Sequence, residues 1–382
     1  MVGAGIHGAA VAQHAASAGH AVIVAERSAP GAGTSSRSSK LIHGGLRYLE
    51  QGALGLVREC LAERARLLAT APGLVRLVPF HIPVFADSRR APWQLRAGLS
   101  AYALLAGLGP EARFASLAPS ARPDDGLASD GLRALFRYHD ATTDDAALTR
   151  AVLASAQTLG AELRCPATVV GLELLPQGVR ATLATLVGQR TLTVRCVVNA
   201  AGPWLEEVHR QLTPAAPPLA VLLVRGSHLE LPARPLAGIY YCESPRDGRP
   251  LFVMPRPGCT LVGTTEVTPG GAPDAAAPSA AEVEYLLEAV ARHFPGWAAR
   301  GGLAVQASWS GLRVLPVSKD PVNAARRETR LVTDRDPARR WLAIVGGKLT
   351  NHARTAAAVV AKLERALSRR TRRADPFLLP LG

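Results

Sequence analysis

The chain has 382 residues, enough for two domains, and at 48% hydrophobic and 19% charged it has the composition of a folded globular protein, not a disordered one. Its formal charge of +14 is almost all arginine, the lysines being Lys40, Lys319, Lys348 and Lys362; the arginines are dispersed without an aromatic platform, which argues against nucleic acid and for a solvated basic face or attraction to anionic lipid. The five cysteines form no C-x-x-C pair, which gives no metal or disulfide framework, and no apolar run approaches the ~20 residues of a bilayer span, so a reducing, cytoplasmic setting is expected.

The chain opens on "VGAGIHGAAVAQHAASAGHAVIVAERS", in which Gly3, Gly5 and Gly8 spell G-x-G-x-x-G ahead of an Ala-rich helical stretch. Gly19 ends the helix, "AVIVAE" reads as a short buried strand, and Glu26 closes it at roughly the 20-residue spacing of a ribose-binding acid. The glycines permit a tight turn and bring a pyrophosphate close to a helix N-terminus, whose free N–H groups favour anions. This is a dinucleotide-binding pattern with a defect. Strand one should precede Gly3 by about five apolar residues, yet only Met1 and Val2 stand there, so a misassigned start or a truncated first strand is expected.

The stretch "GTSSRSSKLIHGGLRYLE" is too polar for a core and too crowded for a random loop. Its hydroxyls and N–H groups suit phosphate oxygens, and Gly44-Gly45 admits a flat ring. Residues 51–70 read as an amphipathic helix, and 79–140 as Pro-, Gly- and Arg-rich loops around an apolar helix, "WQLRAGLSAYALLAGLG". That helix reads as core or surface, with an interfacial membrane helix as the alternative. A helix capped by Asp144 or Asp145 follows, then the strands "ATVVGLELL", "GVRATLATL" and "LTVRCVVNAAGPW". The last ends in a small-residue turn, with Ala200 and Gly202, that lets a cofactor approach.

Residues 219–270 carry short alternating segments, expected to form an antiparallel sheet in a second domain. A helix, "AAEVEYLLEAVARHF", and a strand, "AVQASWSGLRVLPV", come next. The chain then returns through the strand "WLAIVGG" into a last helix, with a second anion-binding turn at Gly347, Lys348, Leu349 and Thr350. The predicted class is α/β: a Rossmann-like domain of residues 1–78, 140–210 and 325–382, and an α+β substrate domain of residues 79–139 and 211–324 built on an antiparallel sheet.

Taken together, "GAGIHGAAVA", "GTSSRSSKLIHGGLRYLE", "NAAGPW", "RGSHLELP", "VGTTEV", "SGLR" and "GGKLT" resemble the FAD-dependent glycerol-3-phosphate dehydrogenases, within the wider group of two-domain flavin amine and hydroxy-acid oxidoreductases. The resemblance implies FAD, oxidation of sn-glycerol 3-phosphate to dihydroxyacetone phosphate by hydride transfer from C2 to flavin N5, and quinone as acceptor, with oxygen the alternative. It also implies a cytoplasmic protein with possible peripheral contact at the inner face of the plasma membrane.

By the same resemblance Thr34, Ser35, Ser36, Lys40, Leu41, His43 and Gly44 stand at the cofactor and Arg47 and Tyr48 reach the substrate. Arginine's planar fork suits phosphate, so Arg47, Arg313 and Arg327 are the candidate clamps, with Thr265 as a substrate hydrogen bonder. His228 is the candidate proton acceptor, and Lys348 stands near the substrate oxygen or flavin. No metal is expected. The chain departs from the family pattern at Arg313-Val314 and Asn351-His352, and stops near where longer members begin a C-terminal helical domain. The competing readings are a flavoenzyme for another small amino or hydroxy acid, and an inactive truncated relative.

Overall fold

A computed structural model describes the chain except Gln51, residues 300–302, 318–328, 335–338 and Gly382, and except the side chains of Arg47 and Pro110. Near the N-terminus, a short parallel sheet forms around Val2. Strand Ile23–Ala25 pairs in parallel with Glu162–Arg164, and strand Val197–Asn199 pairs in parallel with Trp341–Val345. Val2 bridges the two pairs, accepting from Ala200 N–H and donating to Val198 O, each at 2.9 Å. Met1 to Gly3 thus stand where a strand of about five apolar residues was expected, Met1 O accepting Ala25 N–H at 2.9 Å and Gly3 N–H donating to Ala25 O at 2.8 Å.

Alternation sorts this sheet's two faces. Val24, Val198, Leu342 and Ile344 face the helices Ile6–Ser17, Asp145–Thr158 and His352–Leu363, whose alanines allow close approach. Ala25, Val197, Trp341 and Val345 face the other way, onto a four-stranded sheet containing Ala167–Leu175, Gly178–Thr185 and Gly188–Val194. The segment "LTVRCVVN", expected as one strand, is two. Residues 188–194 belong to the outer sheet and Val197–Asn199 to the central one, with the crossing at Arg195-Cys196. The cap is settled as well: Asp144 Oδ1 accepts Ala147 N–H at 2.9 Å.

The second sheet runs, among the described residues, in the order Ala307–Pro316, Val221–Pro232, Cys259–Gly263, Pro250–Arg256, Ile239–Glu243, Val75–Phe85, Leu132–Thr143 and Leu41–Ile42, with Ala115–Leu117 added beside Leu132–Thr143. Helix Ala280–His293, continued by Phe294 and Trp297, covers one face; helices Leu54–Thr70 and Pro92–Leu105 cover the other. Two long strands here replace the expected loops of residues 79–140. Pro79 and Pro83 had masked the first of them. Four residues apart, both nitrogens point to the same side, and the ladder to Leu132–Thr143 runs unbroken through both. On the opposite side Ile239–Glu243 pairs at Phe80 and His81, between the two prolines.

Candidate active site

The first turn is shaped by the absence of side chains. Gly3 has φ +93°, and a Cβ there would lie 2.9 Å from Ala200 O; one on Gly8 would lie 1.9 Å from Gly3 O. Glu26 is anchored beside this turn, its Oε2 accepting Ala4 N–H at 2.8 Å and its Oε1 accepting Ser28 N–H at 2.9 Å. Ser35 Oγ accepts Ile6 N–H at 2.9 Å, and Thr34 Oγ1 donates to Leu312 O at 2.7 Å, which ties the hydroxyl-rich stretch to both halves of the molecule. Opposite, Gly347 packs under the His7 ring, where a Cβ would meet Nε2 at 2.2 Å. Burial pushes His7 down to about 4, so its ring is neutral at neutral pH.

These turns border a cleft of about 660 Å³ that reaches the large sheet. Of the residues expected at the cofactor, Gly3, Gly5, Glu26, Thr34, Ser35, Leu41, His43, Ala200, Gly202, Gly347, Lys348, Leu349 and Thr350 line it. Gly8, Ser36, Lys40 and Gly44 stand behind its wall. Lys40 Nζ pairs with Asp145 Oδ1 at 2.5 Å, because that fully buried carboxylate needs a counter-charge. Ser36 Oγ donates to Gly33 O at 3.0 Å, and Gly44 N–H donates to the Tyr102 hydroxyl at 2.8 Å.

At the sheet end of the cleft, His228 is 1% exposed and stacks on Trp309 with ring centroids 4.2 Å apart. Its Nε2 lies 3.0 Å from Ser39 Oγ, while Nδ1 is buried without a hydrogen-bond partner. Burial first, then the charges of Arg313 and Lys40, hold His228 down at about 3. Room for the ring comes from its strand neighbour Gly263, where a Cβ would lie 2.2 Å from the imidazole.

Arg313 extends from strand Ala307–Pro316, past the bare Gly226, and donates to Thr264 Oγ1 at 3.2 Å. Its Nη1 is 3.7 Å from Glu266 Oε1. Thr265, expected to meet substrate, is already engaged: its hydroxyl accepts Ser227 N–H at 2.9 Å and donates to Glu282 at 2.6 Å. Lys348 Nζ is buried, has no hydrogen-bond partner and sits 3.6 Å from the Tyr48 ring centroid. Arg47 belongs to helix Leu46–Glu50 without a described side chain, and Arg327 lies outside the described residues.

The opposite end is crossed by a clasp. Asp274, on the loop that follows strand Cys259–Gly263, pairs with Arg27 at 2.5 Å and accepts Trp204 Nε1–H at 3.2 Å. The Arg27 guanidinium lies 4.0 Å over the Trp204 ring.

A family model described as FAD dependent oxidoreductase matches residues 1–362. The chain belongs to that family. This FAD-dependent oxidoreductase is 34% identical to the D-erythritol 1-phosphate dehydrogenase of Brucella abortus (strain 2308), over 92% of the chain and 70% of the relative. It is 33% identical to a glycerol-3-phosphate dehydrogenase of Pseudomonas tolaasii, over 95% of the chain and 70% of the relative. Its fold is that of the glycerol-3-phosphate dehydrogenase from Bacillus halodurans complexed with FAD, at a TM-score of 0.74 and 23% identity, covering 99% of this chain and 66% of that one.

FAD is the cofactor, and the residues of this flavoprotein fit it. The turns at Gly3 and Gly347 leave no room for a Cβ, so backbone reaches the cleft, and helices Ile6–Ser17 and His352–Leu363 begin beside those turns. Lys348 adds a cation without a hydrogen-bond partner, suited to a reduced, anionic flavin edge or to a substrate anion. Among the described residues no group of three or more His, Cys, Asp or Glu is placed to hold a metal ion, and no helix is long and apolar enough to cross a membrane.

Sequence reasoning missed Arg249 and Glu266, both in the cleft wall, and the Trp309 ring under His228. Glu266 had a signal. It stands in the quoted "VGTTEV", and an acid in a motif otherwise read as substrate-binding needs a cationic partner. Arg249, in "RDGRPLF", had none beyond its place at the start of a strand.

Proposed function

We propose that the enzyme oxidises a small polyol phosphate, sn-glycerol 3-phosphate, to dihydroxyacetone phosphate and passes the electrons to a quinone. The observation that carries this reading is Lys348 Nζ, a buried ammonium without a hydrogen-bond partner in the same cleft as Arg249 and Arg313. Such a cation is costly until an anion arrives. A phosphate monoester, nearly a dianion with three acceptor oxygens, meets several cations better than the carboxylate of an amino or hydroxy acid does.

Bound FAD supplies the acceptor for the hydride leaving the carbinol carbon. His228 takes the hydroxyl proton. Its imidazole is neutral, held so first by burial and then by the charges of Arg313 and Lys40, so it is free to accept a proton, and a phosphate seated on Arg313 offsets one of those charges. Arg313 and Arg47 hold the phosphate, with Arg327 as a further candidate. Tyr48 flanks the substrate and carries Lys348 above its ring. Thr265 acts through the Ser227–Glu282 network that fixes the strand next to His228. In this reading residues 1–78, 140–210 and 325–382 carry the cofactor and 79–139 and 211–324 the substrate, and quinone reduction takes place at the cytoplasmic membrane face.

The likeness to the Brucella protein favours a second reading, a four-carbon polyol phosphate in the same pocket. One experiment separates these from the carboxylate alternative. FAD-loaded protein is mixed anaerobically with sn-glycerol 3-phosphate, D-erythritol 1-phosphate, glycerate and glycine, and flavin bleaching is followed. Fastest bleaching by the three-carbon phosphate is expected. Bleaching by glycine or glycerate but by neither phosphate ester would overturn the proposal.

A further inference from the structure

Glu266 is a carboxylate in a place where an anion is to bind. Its side chain is 4% exposed, it lines the cleft, and it ends the segment that follows strand Cys259–Gly263. Two guanidiniums converge on it. Arg249 Nη2 pairs with Oε2 and Nη1 donates to the Glu266 carbonyl at 3.3 Å, while Arg313 Nη1 lies 3.7 Å from Oε1. Arg249 immediately precedes strand Pro250–Arg256 and Arg313 stands on Ala307–Pro316, two strands that are not neighbours in the sheet. Both arginine heads are brought to one end of the cleft by the carboxylate between them.

From this we infer that Glu266 is a positioning residue: it joins Arg249 and Arg313 into one two-guanidinium clamp for a phosphate dianion and sets the clamp's charge. Two bare guanidiniums on separate strands repel and splay apart when the site is empty. A shared carboxylate holds them at a fixed separation, so less ordering is needed when substrate arrives. It also trims their charge. Glu266 offsets part of the positive charge of the two guanidiniums, so the clamp presents less charge than two free arginines would. The inference rests on the reading of Arg313 as a phosphate ligand and adds Arg249 to it.

The test uses the FAD-loaded full chain as wild type, Glu266→Gln and Glu266→Asp. For each, kcat and KM with sn-glycerol 3-phosphate are measured, together with inhibition by inorganic phosphate, flavin content and Tm. Glu266→Gln keeps the size and removes the charge. It should raise KM and the phosphate inhibition constant by about tenfold or more, while kcat stays within about threefold, as losing a charge-assisted contact implies. Glu266→Asp keeps the charge on a shorter arm and should fall between the two.

A fall in KM for Glu266→Gln would mean that Glu266 merely repels substrate, and an unchanged KM with lowered kcat would place it in the chemistry; either overturns the inference. Should Glu266→Gln fail to fold, Glu266→Asp decides. A several-fold rise in KM at unchanged kcat supports the clamp, and wild-type values sink it. A wild type that responds to neither phosphate nor glycerol 3-phosphate overturns the substrate reading and takes this inference with it. A wild type that uses both, beside a Glu266→Gln enzyme with the same constants, overturns this inference alone.

Discussion

Arg313 reaches the cleft over a glycine and is oriented by Thr264 and Glu266, so its position does not depend on bound substrate. Arg313→Ala should leave flavin content and Tm nearly unchanged and lower kcat/KM for glycerol 3-phosphate by about 10²-fold, since a charge-assisted contact contributes ~1.5–3 kcal/mol. Uncharged glycerol, a poor substrate for the wild type, should suffer far less. Equal damage to both would move the residue from phosphate binding into the flavin chemistry or the scaffold. Lys348 behaves in the opposite sense. Its ammonium is buried without a hydrogen-bond partner, so Lys348→Met should stabilise the apoprotein by about 1–3 kcal/mol while weakening glycerol 3-phosphate binding. Chemical denaturation of the apo form reads the first effect and steady-state KM the second. A destabilised Lys348→Met protein would show that the Tyr48 contact already satisfies the charge.

At the scale of elements, the helix Ile6–Ser17 can begin where it does because Gly8 has no side chain: a Cβ there would sit 1.9 Å from Gly3 O, a backbone atom that cannot swing away. Gly8→Ala should push the helix off the strand end and reduce flavin retention by roughly tenfold or more, on an overpacking cost of about 1–3 kcal/mol. Flavin absorbance per mole of purified protein checks this, and wild-type loading would show that the helix can shift without harm. This turn was readable from the sequence because its chemistry is local, three glycines and an acid at fixed spacing. The same holds for the strand–Gly-Gly–helix at residues 341–363. Where the sequence misled, distant partners decided. The two prolines of Val75–Phe85 look like loop residues until the one-sided ladder is seen, and "LTVRCVVN" looks continuous until its ends join different sheets. Lys40, expected at the cofactor, serves Asp145, 105 positions away in the chain. Arg249 escaped notice because its meaning comes from Glu266, 17 positions further along the chain.

Across the whole molecule, burial leaves several histidines neutral. It pushes His7 and His14 down to about 4 and His228 and His352 to about 3, with neighbouring positive charges adding to the last three. The unfolded chain binds protons at these imidazoles near pH 6.5 and the folded chain does not, so their stabilising effect is complete above that pH and is lost as pH falls toward 4. By pH 5 each should have cost on the order of 2 kcal/mol, together comparable to the ~5–15 kcal/mol net stability of a typical domain. Tm should therefore drop steeply between pH 6.5 and 5, and a flat profile over that range would contradict the buried, neutral assignment. A different whole-molecule consequence follows from the clasp of Arg27, Trp204 and Asp274. Arg27 and Trp204 come from the glycine-turn half and Asp274 from the strand-rich half, and they meet over the end of the cleft that Glu26 lines. A flavin nucleotide bound in the cleft would lie beneath a contact that joins the two halves. Release of a bound nucleotide then requires this contact to open, so Asp274→Ala should speed exchange of bound flavin with free nucleotide, and an unchanged exchange rate would show that the clasp does not control it.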